Sequence, residues 1–124
     1  MSSQLAKVFR RGIVSPYSDE GADQLSRSFV ENSIRTDFLC IESSLLFEQI
    51  WDSGVFQSIN QKCDSMIDDH EEECLSREKI LDAIVAVQQV SRQVQCQPVE
   101  SFVADLIALL QSAHDRNMPV YFIL

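Results

Sequence analysis

Residues Ser76 to Leu110 limit the fold more than any other stretch, because they read as two consecutive amphipathic helices meeting at Gln97-Pro98. Ser76 is a suitable N-cap, and Glu78 in the following turn is where a helix dipole favours negative charge. Ile80, Leu81, Ile84, Val85, Val87 and Val94 then recur at helical spacing, with Gln88, Gln89, Arg92 and Gln93 opposite. Pro98 suits the first turn of a new helix. Beyond it Val99, Phe102, Val103, Leu106, Ile107, Leu109, Leu110 and Ala113 form an even wider apolar face. Neither helix can hide such a face alone, so the upstream residues must cover both.

Helical patterns also fill much of that upstream chain. Acids at Asp19, Glu20 and Asp23 suit a helix beginning near Ser18, with Leu25, Phe29, Val30 and Ile34 as its buried stripe. Thr36 or Asp37 is placed to cap a strongly apolar helix carrying Phe38, Leu39, Ile41, Leu45, Leu46, Phe47, Ile50 and Trp51. Ser53-Gly54 breaks it, and Val55, Phe56, Ile59, Cys63, Met66 and Ile67 give a further helical face. The run Asp68–Glu73 either extends that helix or forms a loop, and Asn117 with Pro119 ends the last helix. Three glycines and three prolines are few for a turn-rich sandwich or barrel. The expected fold is therefore an all-α, single-domain bundle of five or six helices: a basic N-terminal segment (1–18), the bundle (19–117) and an apolar tail (118–124). Val120 to Leu124 would be a short strand or a plug against the core.

Charge is distributed unevenly. Residues 1–11 carry Lys7, Arg10 and Arg11 without an acid, whereas residues 12–78 hold fifteen acids against Arg27, Arg35, Lys62 and Arg77. Residues 2–18, amphipathic and free of acids, have the composition of a mitochondrial presequence, but equally of an ordinary first helix or edge strand. No apolar run approaches the ~20 residues needed to cross a bilayer, and there is no secretory h-region, so a cytoplasmic protein without a membrane partner is expected. Cys40, Cys63, Cys74 and Cys96 are then expected as reduced thiols.

Catalytic patterns are weak. Cys63, His70 and Cys74 would share a face if one helix ran through them, but Cys63 and Cys74 would lie about 16 Å apart along it, too far for one zinc ion. Asp68, Asp69, Glu72, Glu78 and Asp82, faced by Glu48 and Asp52, are the carboxylates from which a magnesium-dependent nucleotide hydrolase could be built. There is no Gly-x-Ser-x-Gly elbow, and Gly12, Gly21 and Gly54 stand alone, so no phosphate-cradling loop is present. No cofactor is implied.

What the sequence does offer is a negative surface: Glu42, Glu48, Asp52, Asp64, Asp68, Asp69, Glu71, Glu72 and Glu73, with Trp51, Phe56 and Tyr17 near or between acids as candidate aromatic anchors, although Phe56 reads more readily as core. Such a surface repels phosphate backbones, which argues against direct nucleic-acid binding, and suits a basic protein. The expected function is a binding protein that masks a basic partner, in its most specific form an immunity protein neutralising a nuclease toxin. The hydrolase is the alternative, and a homo-oligomeric scaffold docking through Val120–Leu124 is the third reading.

Overall fold

In the computed structural model, which describes residues 10–27 and 34–124, the chain combines helices with a sheet. The order is β1 (Gly12–Pro16), α1 (Asp19–Ser26), β2 (Thr36–Cys40), α2 (Ser44–Ser53), α3 (Val55–Cys63), β3 (Glu72–Leu75), α4 (Ile80–Ser91), α5 (Gln97–Arg116) and β4 (Val120–Ile123). The four strands form one antiparallel sheet in the order β2-β1-β4-β3. This overturns the all-α bundle: the described residues make a mixed α/β fold.

The sheet was hidden by its own burial. Every residue of β1 and β4, its two central strands, is buried. Ile13, Leu75, Val120 and Phe122 face the main core with α2, α3, α4 and α5. Val14, Tyr121 and Ile123 pack on the other face with Leu25 of α1 and with Ile34. A strand covered on both faces shows no apolar-polar alternation, so periodicity alone leaves Val120–Leu124 open between a strand and a plug. The strand is what forms: β4 lies between β1 and β3.

The longest misread helix begins at a strand. Thr36–Cys40 pairs with β1 in the register Gly12↔Cys40 to Pro16↔Thr36. The helix starts only after Ser43, whose hydroxyl accepts from the Leu46 N–H at 3.0 Å. Thr36 and Asp37 therefore cap nothing. Close approach of β1 and β2 explains Gly12: a Cβ there would lie 2.2 Å from the Leu39 carbonyl oxygen. The break at Gly54 is conformational instead, since its φ of 86° ends α2 in the left-handed region that glycine adopts freely.

Several helix signals hold. Ser18 caps α1 by accepting from the Gly21 N–H at 3.0 Å, although that helix stops at Ser26. The expected stripe residues Phe29 and Val30 lie outside the described residues, as do Lys7 and the rest of 1–9. Pro98 sits in the first turn of α5, and Asn117, left-handed at φ 57°, ends it. In the preceding helix the buried face is Ile80, Ala83, Ile84, Ala86 and Val87, while Leu81 and Val85 point to solvent. Ser76 precedes a short 3₁₀ turn and makes no side-chain cap. No helix among the described residues is long and apolar enough to cross a membrane.

The end of α5 is tied to the sheet by one arginine. Arg116 pairs with Asp37 of β2 at 3.0 Å, donates to Ser15 Oγ at 3.1 Å and to the Pro16 carbonyl at 3.3 Å, and lies 3.9 Å from the Tyr17 ring centroid. The Tyr17 hydroxyl donates to the other Asp37 oxygen at 2.7 Å. Burial alone would raise the Asp37 carboxyl, but the Tyr17 hydrogen bond and the Arg116 charge outweigh it and hold the group below its ordinary value.

Candidate functional site

Helix α2 places two rows side by side, Phe47 with Trp51 and Glu48 with Asp52, each pair one turn apart. Phe47 is buried and Trp51 half-buried; their rings stack at 6.0 Å with planes 23° apart. Phe56, which is fully buried, lies behind both rings at 6.1 and 6.4 Å. It belongs to the core. Tyr17 does not line the hollows described below either: the guanidinium groups of Arg35 and Arg116 both lie over its ring, and its hydroxyl is taken up by Asp37.

The acidic run neither extends a helix nor stays a loop throughout. Helix α3 ends at Cys63, Asp64 turns left-handed at φ 53°, and Glu72 and Glu73 belong to β3. Between them the backbone is held by Asn60, whose Oδ1 accepts from the Ile67 N–H at 2.7 Å and from the Ser65 hydroxyl at 2.8 Å. Its Nδ2 donates to the Ile67 carbonyl at 2.9 Å. Glu73 accepts from the Met66 N–H, and Asp68 from the Asp69 N–H. Asp68 and Asp69 of this connection line a hollow together with residues of α2. The role of Asn60 as a hub depends on a loop geometry that no local pattern announces.

Two open hollows meet there. One, of about 480 Å³, is lined by Phe47, Glu48, Trp51, Asp52, Asp68 and Asp69. The other, of about 610 Å³, is lined by Trp51, Gln57, Asn60, Met66, Ile67, Asp68, Glu71, Glu72 and Glu73. They share Trp51 and Asp68. Of the ten residues singled out in the sequence, all but Glu42 and Asp64 therefore fall in one acid-lined cleft with Trp51 at its centre. Glu42 is exposed ahead of α2, and Asp64 caps the end of α3.

The cleft is not uniformly charged. Arg11, just before β1, ion-pairs with Asp69, and its guanidinium carbon lies 4.2 Å from the Phe47 ring centroid. Its Nε is buried without a hydrogen-bond partner among the described residues. The side chains of Glu48, Asp52 and Glu71 make no hydrogen bond or ion pair with a described residue. Met66, with 79% of its surface exposed, adds an apolar edge. Sequence reading missed both Arg11 and Met66, the first because it was grouped with the N-terminal segment, the second because it fitted a helix that ends too early to hold it.

Metal chemistry finds less support. Cys63 is buried at the end of α3, Cys74 lies in β3, and His70 sits in the connection at φ 61°, so the shared helical face does not exist. Glu48 and Asp52 do line one hollow with Asp68 and Asp69, but Glu78 and Asp82 lie elsewhere. Among the described residues no three His, Cys, Asp or Glu side chains converge closely enough to share an ion. Two thiols and one phenol are shifted upward. In a separate hollow that contains Cys74, Arg77 and Tyr121, burial pushes the Tyr121 phenol up to about 12, and desolvation raises the Cys74 thiol, so both are neutral near pH 7. Burial likewise raises the Cys63 thiol.

The chain matches no family model, no curated protein and no solved structure.

Proposed function

We propose that this chain is an acidic binding protein that covers the basic surface of another protein, with the Trp51 cleft as its docking face. The observation that carries the proposal is the convergence of acids from α2, the connection after α3 and β3 around one half-buried tryptophan and an exposed methionine. Hydrophobic contact surrounded by complementary charge supplies both affinity and register. At net charge −9 the molecule would also be steered towards a cationic surface before contact. The most specific form of the proposal is an immunity protein that occludes a nuclease toxin: a nuclease must be basic where it grips phosphate, and a protein of this size can block that surface. Homo-oligomerisation through Val120–Leu124 lacks the free segment it needs, because those residues are buried within their own sheet and core.

The test is parallel capture from the native host with the wild-type chain and with a Glu48→Lys, Asp52→Lys, Glu71→Lys variant. These three side chains are exposed, so their replacement leaves the core intact. The wild type should retain a basic protein one-to-one, a nuclease under the specific form, and the variant should lose it or associate on the order of tenfold more slowly. Recovery of the same protein at the same rate by both would reject the cleft.

A further inference from the structure

The carboxylates of the cleft would attract any cation, so they do not by themselves select a partner group. The aromatic wall does. Phe47 and Trp51, stacked on one another, line the smaller hollow together with Glu48, Asp52, Asp68 and Asp69. Phe47 and Asp69 already hold a guanidinium between them, that of Arg11, ion-paired to the carboxylate with its carbon 4.2 Å from the ring centroid. The fold thus contains one filled example of aromatic-plus-carboxylate arginine binding. Beside it lies a second set of the same components, Trp51 with Glu48 and Asp52, for which no described residue supplies the cation. Indole is the aromatic ring that attracts cations most strongly, and a planar guanidinium stacks on it while donating to carboxylates in its own plane. A compact ammonium cannot do both.

From this arrangement we infer that the Trp51 side of the smaller hollow is a subsite for an arginine side chain of the partner, next to the chain's own Arg11. The inference rests on the reading of the cleft as a docking face and gives that face its chemistry: the partner presents arginine, not merely positive charge. Glu48 and Asp52 are the acceptors, and Trp51 is the stacking surface.

Trp51 is the only tryptophan in the chain, so its emission reports directly on this hollow. The experiment titrates the full chain with two blocked peptides of equal charge, tri-arginine and tri-lysine. The expected result is a saturable change in emission, with tri-arginine half-saturating at a concentration roughly five times lower than tri-lysine. In a Glu48→Gln, Asp52→Asn variant that preference should disappear. Equal titration by both peptides would overturn the arginine subsite while leaving the acidic docking face standing. Silence towards both would overturn both. An arginine preference undiminished in the variant would place the guanidinium elsewhere and reject the assignment.

Discussion

Phe122→Ala is expected to remove about 3–5 kcal/mol of folding stability, read as a fall in the urea midpoint without a change in slope. Phe122 is fully buried at the centre of β4, and its ring meets that of Phe56 edge-on at 6.1 Å with planes at 85°. Phe56 repeats the arrangement with Phe102 of α5 at 6.3 Å and 84°. The three rings join the sheet to α3 and α5, so truncating Phe122 leaves a cavity that no single element can close by shifting. Domains of this size are stable by about 5–15 kcal/mol in total, which makes the loss a large share. Phe122→Leu should retain most of the stability, because it keeps most of the volume. If Phe122→Ala cost below about 1 kcal/mol, β4 could not occupy the centre of the sheet.

Arg116→Ala is expected to cost about 2 kcal/mol at neutral pH, less than the 3–5 typical of breaking a buried pair because solvent screens part of the interaction. The side chain of Asp37 keeps 33% of its surface in water, that of Arg116 only 16%. The same replacement should change the acid limb of the stability profile. In the wild type the Asp37 carboxyl is held below its ordinary value, so the folded state binds that proton less readily than the unfolded state. Its contribution is therefore complete above the unfolded value near ~4 and is lost as pH falls through the lower folded value. Without Arg116, the opposing effect of burial gains weight and this contribution shrinks or reverses. Stability measured from pH 7 to pH 2 should show a shallower acid decline in Arg116→Ala than in the wild type. Parallel profiles would mean that the pair is not coupled.

How much of this was legible in the sequence differs by feature. Helix boundaries with local chemistry were readable: the Ser18 cap, the Gly54 break, Pro98 at the start of α5 and Asn117 at its end each act within one turn. Strands were not, because their hydrogen bonds join distant residues. Gly12 meets Cys40 and Ile123, and Cys74 meets Tyr121; nothing near Gly12 names those partners. Apolar residues from Phe38 to Trp51 satisfied helical spacing across what is a strand, a connection and a helix, since three short elements buried on their inner sides can mimic one period. The cleft was half legible. Its acids and its tryptophan followed from composition and proximity in sequence. The Asn60 hub, the Arg11–Phe47 contact and the exposed Met66 followed only from the fold.

If the cleft is the docking face, cationic groups bind this molecule at one place and not wherever a carboxylate is exposed. The most direct measurement is an amide-resonance titration of the isotope-labelled chain with a blocked hexa-arginine peptide. Saturable shifts confined to residues 47–52 and 66–73 are expected. Shifts spread equally over Asp19, Glu20 and Asp23 of α1 and over Asp105 and Asp115 of α5, or the absence of saturation, would contradict that expectation.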